Sequence, residues 1–146
     1  MAVTRAGYLA FIRNTMGINT TVLPDNSPDI DTSLALAQEI VNTVINAVSP
    51  TMFDWATYNL AGDYLINIAQ DQSGQTFFTD LRKEWNINGF VGGVVQNTYD
   101  ESTGESMTMP DFMKDLTFSD LQNLKTPYGR AYLAIAQKWG TNWGLS

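Results

Sequence analysis

Apolar positions recur at three- and four-residue intervals over most of this chain, which is the repeat of helices packed through one face. A first short helix is expected from Arg5 to Asn14, capped by Thr4, carrying Tyr8, Leu9, Phe11 and Ile12, and stopped by Gly17. After a turn-rich connector from Ile18 to Pro24, Ser27-Pro28-Asp29 reads as an N-cap, a first-turn proline and a first-turn acid. Behind it Ile30, Leu34, Ala37, Val41, Val44, Ile45 and Val48 keep the helical period, predicting one helix over about 28–48. Ser49-Pro50 repeats the start signal, and Phe53, Ala56, Tyr58, Leu60, Ala61, Tyr64, Leu65 and Ile68 extend a second long helix to about Gln70. Two helices of about twenty residues span roughly 30 Å each. Joined so tightly, they should form an antiparallel hairpin.

Asp71-Gln72-Ser73-Gly74 breaks the pattern, and Thr76 to Trp85 resumes it as a short helix with Phe77, Phe78, Leu81 and Trp85 on one side. From Gly89 to Met109, glycines interrupt a run of valines, threonine and tyrosine. That segment reads either as a β-hairpin with its tip at 99–104 or as a long loop ordered by a partner. Thr117 with Asp120 resembles a capping box before Phe118, Leu121 and Leu124. Thr126-Pro127 opens a last helix over about 127–139, with Tyr128, Tyr132, Ile135, Ala136 and Trp139 in register and Gly140 as its stop. Residues 140–146 form an extended tail. The expected fold is mainly α: an antiparallel helical bundle with a long Gly-rich loop or β-hairpin excursion, in a single domain over 1–146.

Composition narrows the chemistry more than the fold. The chain has 146 residues, 44% hydrophobic and only 16% charged, so its apolar surface is expected to be partly covered by other protein. Eight Lys+Arg against fifteen Asp+Glu give a net charge of −7, which argues against gripping nucleic-acid phosphates. Histidine and cysteine are absent, which removes imidazole bases, thiolate nucleophiles, disulfides and the usual soft metal ligands together. The first residues are too polar for a signal-peptide core and no apolar run is long enough to span a bilayer, so a soluble intracellular product is expected.

The remaining candidates are carboxylates and aromatics. Asp25, Asp29 and Asp31 crowd the start of the second helix, as caps and dipole partners do. Asp100, Glu101 and Glu105 lack the ligand spacing of a calcium loop. Gly89-Phe90-Val91-Gly92-Gly93 has neither the following Lys-Ser/Thr nor the spacing of a phosphate loop. No catalytic, metal or cofactor residues are therefore assigned. Among four Trp, six Tyr and seven Phe, Trp55, Tyr58 and Tyr64 are expected to pack or flank the core. Tyr128, Arg130, Tyr132, Trp139, Trp143 and Leu145 are the candidates for contact with another protein, because Trp, Tyr and Arg anchor interfaces.

The order of these features resembles the head-to-tail connector (adaptor) proteins of tailed bacteriophages. The locally specific part is Thr126-Pro127-Tyr128-Gly129-Arg130-Ala131-Tyr132-Leu133, similar to a Thr-x-Tyr-Gly-x-x-Tyr-Leu signature of such chains. The segment Trp55-Ala56-Thr57-Tyr58-Asn59-Leu60-Ala61-Gly62-Asp63-Tyr64-Leu65 is similar to their aromatic and Ala/Leu-rich helix, departing from it at Asp63. The resemblance implies a non-enzymatic virion protein of the phage neck, assembled in the host cytoplasm. It implies a ring of about twelve copies beneath the portal protein, with a tail or neck protein below, no membrane, and DNA passing through without specific binding. An acidic channel suits that passage, since it repels phosphates. The tail over 141–146 is expected to dock on the portal. Two alternatives stand beside this: another neck protein, a tail terminator or head-closure protein, expected to be richer in strand, and a small hydrolase using carboxylates alone. The second requires an Asp or Glu with a strongly raised pKa in a pocket.

Overall fold

A computed structural model describes residues 2–87 and 125–139 of the chain. Among them are six helices and no strand: α1 (Arg5–Asn14), α2 (Pro28–Ile40), α3 (Val44–Val48), α4 (Pro50–Ile68), α5 (Phe77–Glu84) and α6 (Pro127–Trp139). The expected loop or hairpin over 89–109, the capping box at Thr117 and Asp120, and the tail over 140–146 lie outside the described residues.

The helix starts follow local chemistry. Thr4 accepts a hydrogen bond from the Gly7 amide at 3.0 Å, Ser27 from Asp29 at 3.3 Å, and Ser49 from Met52 at 3.4 Å. Pro28 and Pro50 follow the last two caps, at the position where a missing N–H costs nothing. At the other end of α1, Gly17 takes φ +71°, and the Ile18 amide returns to the Ile12 carbonyl at 3.1 Å. α5 is capped from a distance: the Asp71 carboxylate accepts the Phe78 and Thr79 amides at 2.7 and 3.2 Å.

One expected element is divided. The helix read over 28–48 stops at Ile40, because Val41 is extended (ψ 128°) and Asn42 turns its side chain on the Val44 amide at 2.9 Å. A local side-chain bond of that kind competes with the helical ladder, and the apolar period runs on through it. The second long helix ends at Ile68 rather than Gln70. The antiparallel pairing holds: the Gln70 amide, just past α4, donates to Asp29 at the start of α2 at 3.3 Å.

α4 is the central helix, buried around most of its circumference, with α2 on one side and α6 on another. Two of its buried polar residues are satisfied within the helix: Thr57 donates to the Phe53 carbonyl and Asn59 to the Trp55 carbonyl, at 2.8 and 2.7 Å. The core joins Tyr8, Ile12, Ile30, Leu34, Leu60, Leu65, Phe78, Leu133 and their neighbours. α1 is tied to α2 by Tyr8 and Ser33, whose hydroxyls lie 2.9 Å apart. Ser33 gives its proton to the Ile30 carbonyl, so Tyr8 is the donor to Ser33, and burial pushes the Tyr8 phenol well above its usual value. Arg13 holds the connector by donating to the carbonyls of Ile18 and Leu23 at 2.8 and 2.7 Å and pairing with Asp25. Arg5 likewise bridges to Asp31 at 2.6 Å. The three acids near the start of α2 therefore act mainly between segments rather than as caps, Ser27 being the cap.

Candidate interaction surface

Two features of the described surface depart from an ordinary helical bundle. The first is a run of exposed apolar side chains: Leu36, Ile40, Val44, Val48, Met52 and Trp55, each more than a third accessible. They recur at four-residue steps from α2 through α3 into α4, the last step to Trp55 being three. Such residues scattered singly need no explanation, but six within one span of twenty residues make this stretch the candidate contact surface.

The second is a groove of about 690 Å³ between α1 and the first half of α4, whose lining includes Met52 and Trp55 of that run. α1 leans on α4 less closely than α2 or α6 does. Gly7, Ala10, Phe11 and Asn14 form its α1 wall, a set spaced i, i+3, i+4, i+7. Thr51, Asp54, Trp55 and Tyr58 form the α4 wall with the same spacing. Aromatic rings floor it. Phe11 meets Trp55 edge-on at 5.4 Å and Tyr58 at 6.0 Å, and Tyr58 stacks on Tyr8 at 6.1 Å. Gly7 suits this packing, since a Cβ there would collide with the Tyr58 hydroxyl unless that ring shifted.

Within these apolar walls sits Asp54. It is 7% exposed, and its Oδ1 is buried without a hydrogen-bond partner. It lies beyond the first turn of α4, so the helix N-terminus does not offset it.

The other notable carboxyl is Asp63, farther along α4 at the seam with α6. It is 2% exposed and accepts a 2.6 Å hydrogen bond from the Thr126 hydroxyl. Burial pushes its pKa up to about 7, against the lowering effect of that bond. Thr126 also accepts the Gly129 amide at 2.9 Å, so one hydroxyl caps α6 and joins it to α4. Asp63 has the raised pKa that a carboxylate-only hydrolase would need, but it is sealed in a helix seam and does not line the groove. Asp71 is the opposite case. Burial raises it, but Thr79, the Phe78 and Thr79 amides and the Arg82 charge outweigh that and hold it below the usual carboxylate value. No cluster of three metal-ligating side chains occurs among the described residues. No helix among them is long and apolar enough to cross a membrane.

The interface candidates separate on placement. Tyr132 is 9% exposed and packs in the core of its own chain. Tyr128 is half-buried, edge-on to Phe11 at 6.2 Å and to Trp85 at 6.4 Å. Arg130 is exposed on α6. The side chain of Trp139, and Trp143 and Leu145, lie outside the described residues. Trp55, expected in or flanking the core, is 42% exposed at the groove. Sequence reading passed over Asp54 and the apolar run from Leu36 to Trp55. The signal was present as two facing i, i+3, i+4, i+7 sets, but periodicity alone does not say which faces find each other.

No protein-family model, curated protein or solved structure matches this chain.

Proposed function

We propose that the chain is a structural subunit of a tailed-bacteriophage neck, a head-to-tail connector forming a ring beneath the portal. The reading is carried by the likeness of Thr126–Leu133 to the Thr-x-Tyr-Gly-x-x-Tyr-Leu signature. The geometry gives that segment a physical purpose: Thr126 caps α6 and binds Asp63, Tyr128 meets Phe11 and Trp85, and Tyr132 and Leu133 fill the core. The signature is thus a device for seating α6 on α4. The exposed run from Leu36 to Trp55 supplies an apolar surface of the kind neighbouring copies in a ring would cover. The absence of strand among the described residues favours this reading over the strand-rich tail-terminator and head-closure alternative.

The test is mass spectrometry of purified virions from the phage or lysogen that encodes the chain, with copy number measured against the portal. About one copy per portal subunit is expected. Absence from the particle would overturn the reading.

A further inference from the structure

We propose that the groove between α1 and the first half of α4 binds a basic side chain, an arginine or lysine, presented by a segment of a partner protein. The inference stands on the groove itself and does not depend on the neck reading. Its lining is mainly apolar and aromatic surface, with Thr4, Asn14 and Thr51 as neutral polar groups and Asp54 as the charged one, which suits the methylene stem of a long side chain and the flanking residues of a peptide. The polar feature that selects the occupant is Asp54, 7% exposed with a buried Oδ1 lacking any partner. A carboxyl oxygen held out of water without a hydrogen bond is costly, and an incoming N–H donor bearing positive charge relieves that cost most. Trp55 and Tyr58 line the groove from the same face of α4 as Asp54, so aromatic rings stand beside the carboxyl where a cation would sit. Among the described residues, no lysine or arginine lines the groove. Met52 and Trp55, the last two residues of the exposed apolar run, also line the groove, so a partner segment that covers them lies at its wall.

The full chain, labelled with ¹⁵N, is titrated with acetyl-Leu-Arg-Leu-amide and with the same peptide carrying citrulline, which keeps the shape of arginine and removes its charge. The arginine peptide should shift the amides of Gly7, Ala10, Asn14 and Asp54 and the Trp55 indole. The citrulline peptide should bind at least about tenfold more weakly. Asp54→Asn should lose the same factor, and Trp55→Ala, at a half-exposed position, gives a second variant that removes no fully buried side chain and should weaken binding as well. Absence of localised shifts, or equal binding of the two peptides, would overturn the proposal. Methylguanidinium binding as tightly as the peptide would make this a small-cation site and overturn the partner segment. Self-association that Asp54→Asn abolishes would overturn it in favour of a second copy of the chain.

Discussion

Two aspartates on the same central helix meet opposite fates. Asp63 faces α6 and receives a hydroxyl proton from Thr126 at 2.6 Å, in a seam closed to water. Asp54 faces α1 across an open groove, and its buried Oδ1 receives nothing. Both are excluded from solvent to a similar degree, so burial alone does not distinguish them. What differs is completion. The α4–α6 seam satisfies its polar groups within the chain and serves the fold. The α1–α4 groove leaves one unsatisfied, which is how a surface looks when its last partner is supplied from outside.

The largest expected effect breaks the comparison at the seam by pH. Asp63 titrates at 3.8 in an unfolded chain and at about 7 when folded, so the folded state favours its neutral form. The stability this confers is complete below pH 3.8 and is lost as pH rises to about 7, an amount of roughly 4 kcal/mol. Asp71, held below its ordinary value, acts in the opposite direction at lower pH. The clean observable is therefore the difference between the natural chain and Asp63→Asn in urea unfolding at fixed pH. That difference should favour the natural chain less with every step from pH 4 to 7 and then level off. A difference independent of pH would show that Asp63 is not buried as a neutral acid.

The next effect is smaller and separates the seam's two bonds. Thr126→Val removes the cap on α6 and the donor to Asp63 together, and should cost about 2–3 kcal/mol. Thr126→Ser keeps the hydroxyl and should cost under about 1 kcal/mol. Because the lost bond lowers the Asp63 pKa, the Val variant should also carry its pH-dependent loss to higher pH. Thermal melts at pH 5 and 8 measure both quantities. Equal stability of the Val and Ser variants would mean that the hydroxyl does not bridge the helices.

How much of this was readable in advance follows from how local each signal is. The starts of α1, α2, α4 and α6 are written within four residues as Thr4, Ser27-Pro28, Ser49-Pro50 and Thr126-Pro127, and each was legible. The division at Val41 was missed because the apolar period continues through it, while the Asn42 bond that ends the helix is a single residue's competing choice. The Asp63–Thr126 bond joins positions 63 residues apart, and no spacing rule connects them. The sequence leaves the placement of Tyr132 and Trp55 open for a related reason. Aromatic residues serve cores and interfaces alike, and which of the two applies depends on the helix that arrives opposite. Tyr132, on α6, turns into the core that α6 shares with α4, whereas Trp55, on α4, meets Phe11 of α1 at one edge and stays 42% exposed.

The smallest effect sharpens the comparison by reversing its sign. Replacing a buried polar group with an apolar one is destabilising where the group is paired and neutral or stabilising where it is not. Asp63→Leu strands the Thr126 hydroxyl and should destabilise the chain. Asp54→Leu removes a carboxyl oxygen that already lacks a partner, fills apolar walls with apolar surface, and should stabilise the free chain by about 0.5–1 kcal/mol. Urea unfolding of the two variants side by side measures the pair. A stabilised Asp54→Leu chain that no longer binds an arginine peptide would show that Asp54 is kept at the expense of stability, as binding residues commonly are. A destabilised Asp54→Leu chain would instead mean that this carboxyl is satisfied within the fold, and the contrast with Asp63 would vanish.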